Sequence, residues 1–157
     1  MTQTDPADLL AELMADAGDL IFPRFAEAEA LALGTALVDA ASAASLPVVI
    51  NIRTASRTLF HAALPGSAAL NDLWARRKSN TALMFQAASM QVATRLRQRG
   101  ESLATQGLDA ADYADSGGAV PIVVAGVGMV AVATVSGLPQ LEDHRLVVRT
   151  IRAMLAG

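Results

Sequence analysis

From Gly117 to Leu141 the chain carries no charged side chain: GGAVPIVVAGVGMVAVATVSGLPQL. A run of that length must leave water, either into a bilayer or into a protein core. Glycines at 117, 118, 126, 128 and 137, prolines at 121 and 139, and valines between them decide the matter. Val and Ile favour extended backbone, and Ala125-Gly126-Val127-Gly128 suits a reversal. The expected structure is a β-hairpin, Ala119–Ala125 followed by Met129–Ser136, and not a membrane span. Both strands are apolar at almost every position, so both faces of their sheet should be covered. Gly126, Gly128 and Ala131 formally match the dinucleotide fingerprint G-x-G-x-x-A. That fingerprint needs a helix after its glycines to hold a pyrophosphate. Here Met129–Val135 continues as strand, so no dinucleotide site is expected.

The other elements arrange themselves around this hairpin. Phe25–Ser45 is alanine-rich and helical, with Leu31, Thr35, Val38 and Ser42 at helical spacing and small residues that allow close approach. Pro47 opens a strand, PVVINIR, with Val48, Ile50 and Ile52 on one face and Val49, Asn51 and Arg53 on the other. Thr54-Ala55-Ser56 turns the chain into RTLFHAA, and a short strand is expected around Leu20-Ile21-Phe22. Asn71-Asp72 can cap a helix, or a pair of helices, running to Arg99. Asp109, Asp112 and Asp115 lack the ligand density of a calcium loop and are expected on a solvated short helix. Paired hairpins separated by helices indicate an α+β fold, profilin-like or PAS-like, with an antiparallel sheet of about five strands.

At 157 residues the chain fits one domain, with residues 1–18 as an N-terminal helical extension. It is 53% hydrophobic and only 17% charged. So few charges coat a monomer poorly, and burial between subunits follows: a homo-oligomer is expected. A net charge of −3 argues against a nucleic-acid surface. Arg95, Arg97 and Arg99, a basic cluster just before Gly100, complement the dipole at a helix end. Without cysteine there is no disulfide, thiolate metal centre or cysteine nucleophile, and two histidines make a dedicated metal site unexpected. The N-terminus is acidic and amphipathic, lacking the basic start and apolar run of a signal peptide, so a cytoplasmic protein is expected.

Two places concentrate chemistry. In NDLWARRKSNTALMF, Trp74, Thr81, Phe85 and Ala88 share one helical stripe, and Arg77 and Lys78 straddle it. Cations on an apolar seam need anionic partners, because an unpaired buried charge costs several kcal/mol. The partner is either a carboxylate of this chain or a neighbour, or else a ligand carboxylate or phosphate. Asn80 and Thr81 add hydrogen-bonding groups to the same turns. The second place is the last helix, where Leu141, His144, Val148, Ile151 and Leu155 form the core stripe. His144 thus points at the sheet. It is either a neutral histidine satisfied by a backbone carbonyl or a ligand-facing, proton-handling imidazole beside Asp143. Glu142 and Asp143 suit the positive end of that helix, and Pro139 suits its start. Nothing around Ser136 resembles a nucleophile elbow. His61 is expected to pack at a rim. Gly117-Gly118 before a buried strand permits positive φ and brings backbone N–H groups close to whatever lies there.

Three segments together, PVVINIRTASRTLFHAALPGS, NDLWARRKSNTALMF and GGAVPIVVAGVGMVAVATVSGLPQLEDHRLVV, resemble the HbpS/GlcG-like superfamily of haem-degrading domain proteins. The combination W-x-x-R-K-x-N-T, G-G-x-x-P-I and V-S-G-L-P-Q-x-x-D-H points to its uncharacterised branch. The resemblance implies a profilin-like α+β domain that assembles with itself and binds or degrades haem. Its signature positions here are Trp74, Arg77, Lys78, Asn80, Gly117, Gly118, Pro121, Ser136, Gly137, Asp143 and His144. Asn51 stands where branch members often have an acid, and Ser116 where they often have a histidine. The second departure removes a candidate axial ligand from the glycine loop. The functional expectation is a cytoplasmic homo-oligomer binding haem or another anionic small molecule. Arg77, Lys78 and Asn80 would receive it, Gly117, Gly118 and Ser136 would line it, and His144 with Asp143 would handle ligand or proton. The alternative is an assembly protein without cofactor or turnover, in which the same residues form subunit contacts.

Overall fold

A computed structural model describes residues 4–157. Its elements follow the order α1 (Pro6–Asp19), β1 (Ile21–Phe22), α2 (Glu27–Ala43), β2 (Val49–Arg53), β3 (Thr58–Ala63), α3 (Ala69–Phe85), α4 (Ser89–Arg99), β4 (Ala119–Val124), β5 (Gly128–Ser136) and α5 (Gln140–Ala156). The strands form one sheet in the order β1-β4-β5-β2-β3. β4/β5, β5/β2 and β2/β3 are antiparallel, as the hairpins require. β1 runs parallel to β4, with Ile21 opposite Val123 and Phe22 opposite Val124, so the sheet is mixed and not wholly antiparallel. This two-residue strand is no arm of a hairpin, and no tight turn dictates its direction. The uncharged run folds as the expected hairpin: Gly126 and Gly128 take φ of 74° and 104°, and Val127 N–H closes the turn on Val124 C=O. Among the described residues no helix is long and apolar enough to cross a membrane.

The two faces of the sheet differ in chemistry, and that difference places the site. Ile50 and Ile52 of β2, Val120 and Ile122 of β4 and Ala133 and Val135 of β5 face α2 and α5. Leu33 and Leu37 of α2 and Leu146, Val147 and Ile151 of α5 complete that core. The opposite face carries the alternate residues, among them Asn51, Arg53, Ala119, Val132 and Thr134, and is covered by α3. Arg53 finds its partners on α3: its Nε donates to Ser79 Oγ at 2.8 Å and its terminal nitrogen to Asn80 Oδ1. α1 lies outside, against α4.

Three local expectations shift. The inward face of α2 is Ala30, Leu33, Gly34, Leu37 and Ala41, while Leu31, Thr35 and Ser42 are exposed. An alanine-rich helix has too little contrast between its faces to fix the stripe. Gly34 is small because the Phe60 ring of β3 occupies the place where a Cβ would stand. We expect Gly34→Ala to cost about 1–3 kcal/mol in urea denaturation, the range for overpacking a core; an unchanged midpoint would contradict this packing. Asn71 sits inside α3, not before it, and its Oδ1 accepts the Ala68 N–H at 2.8 Å. Asp109–Asp112 forms a turn in which Asp109 Oδ1 accepts the Ala111 N–H, not a helix, with the only short helical turn of that loop at Ala104–Gln106.

Candidate functional site: a buried ion pair beneath a polar cleft

Lys78 enters from α3, where its neighbours Ser79, Thr81 and Ala82 are also buried against the sheet. Its Nζ reaches Asp143 Oδ2 of α5 at 2.9 Å, with the two side chains 4% and 0% exposed. The Asp143 carboxylate is bound on its other side by the loop that leads into α5. Oδ1 accepts the Leu138 N–H at 2.9 Å and Oδ2 the Gly137 N–H at 3.3 Å. These backbone donors and the ammonium replace lost water, which a buried carboxylate demands. Burial still pushes the Asp143 carboxyl above its ordinary range, against the pull of Lys78 and of both N–H groups.

Gly118 packs closely against this pair. At φ 139° a Cβ there would collide with the Val135 carbonyl and stand 3.0 Å from Lys78 Nζ and 3.3 Å from Asp143 Cβ. Only glycine lets the backbone approach the pair this closely at that φ. Gly117 is consumed differently, its N–H donating to Gln140 Oε1 at 3.1 Å, so it is no free donor for a ligand.

Above the pair opens a cleft of about 230 Å³. Trp74 and Asn71 of α3 form one wall, Ser136, Gly137 and Leu138 the other, and Ser116 closes one end. Ser136 belongs to this wall and is 2% exposed. Arg77 is outside the cleft. It donates to the carbonyls of Ala110 (2.8 Å) and Tyr113 (3.3 Å), and its guanidinium lies 4.4 Å over the Trp74 ring. The expected anionic partner of Arg77 is thus replaced by two carbonyls and an aromatic face. Asn80 also turns away, bridging Arg53 and the Asp112 carbonyl.

His144 does not join this cleft. It is 3% exposed, on the other flank of α5, and lines a separate cavity with residues of α1 and β4. Contrary to the reading of a histidine satisfied by a carbonyl, neither ring nitrogen has a hydrogen-bond partner among the described residues. The imidazole pKa falls to about 4, through burial first and the neighbouring Arg145 charge second.

A further polar group was not anticipated from the sequence. His61 Nε2 lies 2.8 Å from Asp72 Oδ1 and its Nδ1 is 3.1 Å from Asn51 Nδ2, joining β3, α3 and β2 at the cleft's far side of α3. The strand alternation that put Asn51 and Arg53 on one face was its only signal. Among the described residues no group of three or more His, Asp or Glu could hold a metal ion.

Comparison with known proteins gives these features a family. A UPF0303 protein of Streptomyces coelicolor is 44% identical over 156 residues, covering 99% of each chain. The crystal structure of Ybr137w superposes with a TM-score of 0.85 at 31% identity, over 94% of this chain and 88% of that one. A PduOC:haem complex shares the fold at a TM-score of 0.64 and 22% identity, over 77% of this chain and 88% of that one. The family model described as haem degrading protein HbpS-like matches residues 25–152. Given that match over most of its length, the chain belongs to the HbpS-like family.

Proposed function

We propose that this chain is a cytoplasmic, homo-oligomeric protein that binds a small anionic molecule in the cleft above Lys78 and Asp143. One observation carries the reading: an ammonium nearly removed from water forms the floor of an open polar cleft. Lys78 has three N–H donors, and Asp143 takes one at 2.9 Å while the Val135 carbonyl stands 3.5 Å away. The remaining donor suits a ligand carboxylate, with the Ser116 and Ser136 hydroxyls beside it and the Trp74 ring as a flat wall. A buried titratable pair with a shifted carboxyl, set in a cleft, is the usual signature of a working site.

Haem, the molecule named in the family's description, does not suit the same residues. The cleft contains no His, Met, Tyr or Cys to serve as an axial ligand. Of the two histidines, His61 is held by Asp72 and Asn51, and His144 lies in a cavity of about 140 Å³. That is below the roughly 300 Å³ of pockets for drug-sized ligands, and a tetrapyrrole is larger still. Within one subunit the residues present do not fit haem.

The assembly reading is favoured by a different observation. Leu70 and Leu73, on the first turns of α3, are 61% and 45% exposed, and β3 is an open sheet edge. Exposed apolar side chains and an unpaired strand edge each suit a subunit contact.

Trp74 is the only tryptophan, so its fluorescence reports the cleft. Benzoate, as a flat carboxylate probe, is expected to quench it saturably, and the neutral pair Lys78→Gln/Asp143→Asn to abolish the quenching. Absence of saturation in the wild type would overturn the reading. So would a sharp Soret shift with haemin that is lost in His144→Ala, because haem would then be held outside the cleft.

A further inference from the structure

The His144 cavity is separate from the cleft and unused by the function proposed above. It lies between α1, the α3–α4 connection, β4 and α5, with a volume of about 140 Å³. Leu13 and Ala17 of α1, Leu20 just after it, and Val120 and Val123 of β4 give it an apolar wall. Of the buried side-chain polar atoms among its lining residues, the two imidazole nitrogens are the ones without a hydrogen-bond partner among the described residues. No lining residue other than His144 carries an ionisable side chain.

These facts restrict what the cavity accepts. Its volume is close to the roughly 150 Å³ of an apolar cavity that takes up benzene, so a single six-membered ring fits. A carboxylate or phosphate would be buried opposite an uncharged imidazole, with no cation to balance it, and an ammonium would find no carboxylate. A neutral imidazole offers one N–H donor and one bare nitrogen, both unpaired among the described residues. A hydroxyl complements either.

We propose that the cavity around His144 is a binding site for a small, uncharged, monocyclic aromatic molecule bearing one hydroxyl, of the phenol class, whose hydroxyl pairs with the imidazole while the ring packs on α1 and β4.

The experiment uses the full chain labelled with ¹⁵N at its histidine rings. There are only two histidines, so His61→Gln assigns both sets of signals. Phenol and toluene are titrated separately into wild type and into His144→Leu. Phenol is expected to shift the His144 signals saturably and to bind the wild type at least about tenfold more tightly than toluene, the worth of one recovered hydrogen bond. In His144→Leu, whose fold is checked by circular dichroism, toluene should bind at least as well as phenol. The proposal is overturned if phenol leaves the His144 signals unmoved up to its solubility limit. It is equally overturned if phenol and toluene bind the wild type alike, which would make the cavity a plain apolar hole, or if only His61 responds.

Discussion

Lys78→Met lowers the free energy of unfolding by about 3–5 kcal/mol, the cost of leaving one member of a buried ion pair alone. For a domain of this size the corresponding fall in Tm is roughly 10 °C. Methionine keeps the length and apolar stem of lysine, so packing on α3 changes little. Asp143 loses its ammonium while retaining only the Gly137 and Leu138 N–H groups. The defect has a pH signature whose sign follows from burial. Without Lys78 the folded-state pKa of Asp143, already raised above 3.8, rises further. The native state then holds a proton that the unfolded chain has lost, and stability declines as pH climbs above 3.8. Lys78→Met should therefore approach the wild type at acidic pH and fall furthest behind at neutral pH. Adding Asp143→Leu removes the stranded charge and should restore most of the loss at neutral pH, since apolar replacements of a whole buried pair are often neutral or stabilising. Urea denaturation of the wild type, the single variant and the double variant decides this. A single variant within 1 kcal/mol of wild type at pH 7 would mean that water reaches Asp143.

How much of this was legible before any coordinates follows the range of each interaction. The hairpin was legible because its apolar strands and glycine turn are local in sequence. β1 was legible as a strand but not in direction, since its partner β4 lies a hundred residues on and no turn joins them. Whether α3 and α4 were one helix or two stayed open in the sequence, because the break at Gln86, in the left-handed region at φ 52°, involves neither glycine nor proline. The requirement that a cation on the α3 seam meet negative charge held for Lys78, and the partner proved to be this chain's own Asp143. It failed for Arg77, whose guanidinium spreads over carbonyls and an indole, acceptors that carry no sequence signature. Asp143 and His144 are the instructive pair. As adjacent letters they suggest a dyad, yet successive residues on a helix project about 100° apart. Asp143 consequently serves the polar cleft and His144 a cavity on the other flank.

That separation gives His144 its own measurable consequence: the wild type loses roughly 3 kcal/mol more stability than His144→Leu between pH 7 and pH 4. The folded imidazole titrates at about 4 and the unfolded one at 6.5. Between those values the unfolded chain binds a proton that the native state refuses, so acid favours unfolding. The contribution is complete above 6.5 and disappears as pH falls to about 4; at about 1.4 kcal/mol per pH unit the interval gives the stated size. Arg145, beside it on α5, adds to the effect by opposing a second positive charge. Asp16 and Asp143, whose carboxyls burial raises, are present in both proteins and cancel in the difference. At pH 7 the leucine variant should equal or exceed the wild type, because leucine fills similar space and removes two unsatisfied nitrogens. Parallel stability curves for the two proteins from pH 7 to pH 4 would place His144 in contact with water, and the cavity would then be no dry pocket at all.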